Sequence, residues 1–282
     1  MKAVTAMSVH LCLLLSYCVS FAQADSVRRV PSEKNEVYKV NYLLDVPITA
    51  GGYITGMIGI DLLRDRKPRD MSIIPYLNPK DVWWFDRGAA RQDPDKSSRY
   101  LSRSNTLMRT FMFAPGLMFL DREVRDNWIT YTMLYLEAQA INSAAYAVGA
   151  GTVRRMRPIM YNPDVSMDVK LGTNTTNSFF SGHTSVVATS TFFMVTVYYD
   201  LHPEARNKML WYGMASVPPA IAGYFRYRAG KHFPTDIMTG FAVGAMTGIL
   251  VPEWHKVNGG RFCVYPVVTD DVTGFYSRIR LD

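Results

Sequence analysis

The sequence predicts an all-α domain, a bundle of about six core helices, and three observations carry that prediction. Apolar stretches recur at helical length, with no strand-like alternation between them. Short breaks rich in charge, proline and asparagine separate them. No internal repeat and no long low-complexity segment interrupts the pattern.

The first element is a leader. Lys2 precedes an apolar run centred on Leu11 to Leu15, and Phe21-Ala22-Gln23-Ala24 has the small-x-small pattern of a signal peptidase site, so residues 1–24 are expected to be removed. Of the three cysteines, Cys12 and Cys18 leave with it and Cys263 remains, which permits no disulfide within the chain. The fold must then rest on its core. A net charge of +7 is a mild basic bias that suits anionic ligands or surfaces, and nothing in it points to nucleic acid.

Residues 25–40 read as a polar N-terminal arm, and residues 41–256 as the helical domain. Its apolar runs fall at about 42–63, 105–120, 128–149, 184–199, 208–225 and 235–252. Asn41 is placed to cap the first. Arg64 to Asp70 ends it in charge and Pro68, Asp121 to Asn127 separates two helices, and Asp200 to Lys208 separates two more. The aromatic cluster Trp83-Trp84-Phe85 is expected to pack in the core. Residues 257–282 form a tail with short alternating stretches, as in a small hairpin.

Most runs are shorter than the ~20 residues of a comfortable membrane span, and Asp45, Arg109 and Glu137 interrupt them. With a mean hydropathy of −0.03 and 48% hydrophobic residues, the chain reads as an exported, periplasmic domain lying against a membrane rather than a polytopic one.

Three segments concentrate chemistry. Arg154-Arg155-Met156-Arg157-Pro158 sets three planar donor forks before a proline bend, an anion clamp or a solvated basic turn. In Ser181-Gly182-His183 a serine hydroxyl and a glycine amide open a helix, the place where backbone N–H groups cradle phosphate, with a histidine able to protonate a leaving alkoxide. In Arg226-x5-His232-x3-Asp236, Pro234 puts His232 just before a helix start. Asp236, four residues on, shares its face and is expected to hold one ring nitrogen, freeing the other for attack. His202 and His255 lie in polar surroundings and read as solvated surface residues.

Taken in order, these segments resemble the type 2 phosphatidic acid phosphatase and vanadium haloperoxidase superfamily over roughly residues 105–252. The resemblance implies that His232 is the nucleophile of a phosphohistidine intermediate, Asp236 its partner and His183 the general acid. It implies that Arg157, Arg226, Ser181 and the Gly182 amide hold the phosphate oxygens. It calls for no cofactor or metal, and four histidines in the mature chain leave little to build a metal site from. The substrate class it implies is a phosphomonoester or pyrophosphate of an envelope lipid, or a small periplasmic ester. A vanadate-dependent haloperoxidase and a non-catalytic anion-binding envelope protein are the alternatives. One departure stands out: the family lysine seven residues before the arginine is Ala150, for which Arg154 or Arg155 is the expected substitute.

Overall fold

The computed structural model describes residues 36–68 and 70–257, together with the backbone of 262–268 and 273–279. The leader expected at 1–24 lies outside the described residues. Eight α-helices appear among them: α1 (Tyr42–Arg64), α2 (Ser97–Phe113), α3 (Arg122–Asp126), α4 (Trp128–Val153), α5 (Met167–Lys170), α6 (Gly182–Leu201), α7 (Lys208–Arg228) and α8 (Pro234–Trp254). The six long ones correspond to the six apolar runs. In the tail, β1 (Phe262–Val268) and β2 (Thr273–Ile279) pair antiparallel, with Phe262 opposite Ile279 and Val268 opposite Thr273.

The helix ends follow local chemistry. The Asn41 side chain accepts from the Leu43 N–H at 3.2 Å at the start of α1, and the Asp121 carboxylate accepts from Glu123 and Val124 at the start of α3. Pro234 occupies the first turn of α8, and α4 ends on Arg154 in a left-handed conformation (φ 51°). Helix α2 begins eight residues before the expected apolar run. Its polar first turns are held by tertiary contacts, the Ser97 hydroxyl on the Ala229 carbonyl at 2.9 Å and the Tyr100 ring against Tyr224 and Phe225. The run ends as a helix at Phe113, where Pro115 removes a donor and Ala114–Leu120 tightens into a 3-10 turn.

Helix α6 is the axis of the bundle, buried along most of its length and packed by α2, α4, α7 and α8. Its closest neighbour is α8, whose Gly240, Gly244 and Gly248 form a stripe at every fourth residue. A Cβ on them would stand 2.5, 2.2 and 2.6 Å from the carbonyl oxygens of Ser181, Ser185 and Thr189. The backbones meet there without side chains between them, which brings the starts of α6 and α8 together. Gly52, Gly56 and Gly59 seat α1 on Ala140, Ser143 and Ala147 of α4 in the same way.

Helix α1 reverses the polarity of a soluble helix. Its buried residues are Asp45, Thr49, Gly56 and Leu63, while Leu43, Ile54, Ile58 and Leu62 are exposed, Leu43 to 87%. Exposed apolar side chains continue on α7 (Met209, Leu210, Met214, Val217) and on α8 (Met238, Met246). Both α1 and α8 are long and apolar enough to cross a membrane. A surface of this kind belongs against lipid, so the domain is membrane-associated. Of the charges expected to argue against spanning, Asp45 and Glu137 point inward and meet His255 instead of solvent. The Trp83-Trp84-Phe85 cluster is also exposed, Trp84 to 71%, which corrects the expectation of core packing. The three rings pack against one another edge-to-face and tilted at the surface.

Candidate active site

The site forms where the starts of α6 and α8, the end of α7 and the loop after α4 converge. His232 is 2% exposed, in the loop between α7 and α8. Its Nδ1 lies 2.6 Å from the Ser178 carbonyl oxygen. A carbonyl only accepts, so Nδ1 carries the hydrogen and Nε2 presents its lone pair. Nε2 faces Nη2 of Arg226 at 3.4 Å. Burial, then the nearby Arg226 and Arg157, push the imidazole well below its ordinary value, which keeps the ring neutral.

Asp236 does not hold this ring, contrary to the sequence expectation. Its Oδ2 accepts from the Phe233 N–H at 2.9 Å and the Ser178 hydroxyl at 2.6 Å, and its Oδ1 accepts from Nη1 of Arg155 at 2.6 Å. The physical reason is its place in the first turn of α8, where a carboxylate closes back on a free backbone N–H. Its link to His232 runs through Ser178, which takes Asp236 on its side chain and His232 on its carbonyl.

Arg155 is likewise spent on structure. It bridges Asp236 and, at 2.6 Å, Asp86, and its guanidinium lies 4.2 Å from the centre of the Phe233 ring. Asp86 in turn accepts from the backbone and hydroxyl of Thr235. Arg154 is exposed at the end of α4, and among the described residues no contact ties it to the cluster. Neither stands in as a phosphate ligand for the lysine missing at Ala150, which is itself fully buried.

The remaining arginines behave differently. Arg157 and Arg226 are 4% and 5% exposed. Arg157 donates to the side-chain oxygens of Asn177 at 2.9 Å and Asn174 at 3.1 Å, and Arg226 to the Ser104 hydroxyl at 3.5 Å, while its Nε has no partner. Among the described residues no carboxylate forms an ion pair with either. Two buried guanidiniums with only neutral partners are costly unless an anion joins them. Burial lowers Arg157 from its ordinary value.

Ser181 is fully buried, its hydroxyl 2.8 Å from that of Thr184 and its N–H on the Asp236 carbonyl at 3.0 Å. It stands at the cap position of α6 without a side-chain capping bond, and so leaves the first-turn amides, including Gly182, to other acceptors. His183 follows, its Nε2 2.7 Å from Oδ1 of Asn105 on α2.

Several participants escaped the sequence reading of the site. Asn105 and Ser104 arrive from a helix distant in the chain, which no motif announces. Asn174, Asn177 and Ser178 belong to a Thr-Asn run whose polar composition looks like a surface loop, yet Thr175 to Ser178 are buried. Lys231 was read only as a basic neighbour. Burial first, and then Arg157 and Arg226, lower its ammonium to about 8, which places a third cation in the field of the two arginines.

Residues 131–259 match the family model of the PAP2 superfamily. Among solved structures the chain is similar to the crystal structure of Aquifex aeolicus LpxE, with 19% identity and a TM-score of 0.41, covering 59% of this chain and 91% of that one. It is also similar to the crystal structure of the first transmembrane PAP2 type phosphatidylglycerolphosphate phosphatase from Bacillus subtilis. There the identity is 20% and the TM-score 0.37, covering 74% of this chain and 91% of that one. No curated protein sequence matches it. The matched segment holds Arg157, Ser181-Gly182-His183, Arg226, His232 and Asp236, and it is over this segment, a little under half of the chain, that the protein is similar to the PAP2 superfamily.

Proposed function

We propose that the protein hydrolyses a lipid phosphate at a membrane surface through a phosphohistidine on His232. The observation that carries this is the pair of buried arginines without carboxylate partners beside a neutral histidine whose free Nε2 faces one of them. A phosphoryl dianion between Arg157 and Arg226 neutralises both and sits in line with Nε2. Nε2 attacks phosphorus and the bond to the leaving oxygen breaks. Burial, Arg226 and Arg157 keep His183 neutral in the free protein; with the dianion bound the ring, held by Asn105, takes up a proton, gives it to that oxygen, and afterwards takes one from the water that cleaves the phosphorus–nitrogen bond. Ser181, the Gly182 amide and Lys231 add donors to the equatorial oxygens. Lys231 takes the part left open by Ala150.

The lipid assignment rests on the surface. Exposed Trp83, Trp84 and Phe85 directly precede Asp86, which is bonded to Thr235 at the mouth of the site. Aromatic side chains of this kind settle at the headgroup level, which would hold the site where lipid phosphates are. The envelope is the compartment proposed for this substrate. Because α1 runs from the far end of the bundle towards the site, a membrane-crossing α1 puts residues 36–41 and His232 on opposite sides. A periplasmic site then requires a cytoplasmic start to α1.

The test is phosphate release by the purified protein from lipid monophosphates and pyrophosphates and from soluble esters, with His232→Ala as control. Release from lipid substrates, loss in the variant and an acid-labile, base-stable phosphoenzyme are expected. No release from any substrate, or equal release by the variant, overturns the proposal.

A further inference from the structure

At the other end of α8, Asp45 from α1, Glu137 from α4 and His255 from the cap of α8 meet in the interior. Nε2 of His255 is 3.2 Å from Oδ2 of Asp45 and 3.3 Å from Oε2 of Glu137, and the three ligand atoms lie within 4.8 Å of one another. His255 is therefore no surface residue, in contrast to the sequence expectation. Its Nδ1 is 2.8 Å from the Val251 carbonyl, so Nδ1 carries a hydrogen and Nε2 is turned to the two carboxylates, of which Asp45 Oδ2 also accepts from the Asn41 N–H at 2.6 Å. Oε2 of Glu137 is fully buried without a hydrogen-bond partner, on a residue only 3% exposed. Thr49, one turn beyond Asp45 on the same face of α1, adds a second buried and unpartnered oxygen.

We propose that Asp45, Glu137 and His255 bind a zinc ion that clamps α1 to α4 and to the end of α8. Two carboxylate oxygens and an imidazole nitrogen converge there, and the Glu137 oxygen has no hydrogen-bond donor, an arrangement that a cation completes. Two carboxylates and a neutral imidazole carry the charge that a divalent ion balances. The two spacings at the histidine fit as well: a tetrahedral zinc with bonds of about 2.0–2.1 Å has edges of about 3.3 Å, against the 3.2 and 3.3 Å found, and the Asp45 and Glu137 oxygens lie within 4.8 Å of each other. The Nδ1–H bond to a carbonyl is the outer contact that orients a ligating histidine. This centre is separate from the phosphatase site, since the nineteen positions of α8 from Asp236 to His255 span about 28 Å. The ion takes no part in phosphoryl transfer, and it fixes a helix whose outer face is almost wholly apolar.

The full chain, purified in detergent, is equilibrated with micromolar zinc, freed of excess and assayed for metal by mass spectrometry. A cobalt-loaded sample is examined for the visible bands of a tetrahedral oxygen and nitrogen site. The expected result is about one zinc per chain and a cobalt spectrum. In Glu137→Gln and His255→Gln the zinc is lost, with an affinity at least ~10–100-fold lower. A chelator lowers the thermal midpoint of the parent but not that of Glu137→Gln. Absence of zinc and of cobalt bands from the parent, the result expected of a protonated imidazole bridging the carboxylates, overturns the proposal. So does equal zinc in parent and variants. The parent's metal content and cobalt spectrum decide the matter even if a variant fails to fold.

Discussion

The ring of His232 is held by the backbone carbonyl of Ser178, 2.6 Å from Nδ1, and not by Asp236. Asp236 reaches the ring only through Ser178, whose hydroxyl it accepts at 2.6 Å. Loss of the carboxylate should therefore impair the nucleophile's setting without removing it. Asp236→Asn is expected to lower kcat by about 100-fold, with a phosphoenzyme still trappable, whereas His232→Ala abolishes both. Rapid-quench trapping distinguishes the two. Equal loss of phosphoenzyme in both variants would assign Asp236 a direct part.

Arg155 is expected to matter for stability more than for substrate. Its guanidinium joins the buried carboxylates of Asp86 and Asp236, and truncation leaves both unpaired in the interior. Arg155→Ala should cost about 3–5 kcal/mol, measured by denaturant unfolding in detergent. Arg157→Ala should instead raise the inhibition constant of inorganic phosphate or vanadate by at least ~10-fold, with a smaller loss of stability.

Lys231 sets an alkaline limit. Its ammonium titrates at about 8 in the free protein, so the cation is present below that pH and lost above it. Anion binding, and with it kcat/KM, should fall as pH rises through 8. Lys231→Arg should flatten that limb, and Lys231→Met should lower kcat/KM across the whole range. His232, depressed well below 6.5, should contribute no acid limb at its ordinary value. A kcat/KM profile from pH 5 to 10 on the three proteins reads all of this.

Gly244 offers a packing test. A Cβ at this position would lie 2.2 Å from the Ser185 carbonyl oxygen, a backbone atom that cannot swing aside. Gly244→Val should destabilise by about 1–3 kcal/mol and, by spreading the starts of α6 and α8, reduce activity further than stability alone explains. Gly213, with nothing within 4 Å of its would-be Cβ, is the control, and Gly213→Ala should leave activity unchanged.

Sidedness follows from α1. Single cysteines at Lys39 and at Arg228, introduced into a Cys12→Ser, Cys18→Ser, Cys263→Ser background, should label from opposite faces of intact spheroplasts with a membrane-impermeant maleimide. Labelling of both from one face would show that α1 does not cross the bilayer.

The sequence determined the six long helices, the cap at Asn41 and the first-turn place of Pro234. These depend on hydrophobic period, local hydrogen bonding and short fixed spacings, all of which act within a few residues. Local proximity also misled: Asp236 shares a helical face with His232, but the nearer Phe233 N–H captures its carboxylate. Mean hydropathy averaged the polar loops with the helices and so hid the apolar outer face of α1. Only the tertiary structure decided what lies far apart in the chain. It brought Asn105 to His183, spent Arg155 on Asp86, set half-buried Lys231 beside two arginines and drew Asp45, Glu137 and His255 into one interior cluster. These contacts are made when the glycine stripes let the helices close, and that energy belongs to no single segment of sequence.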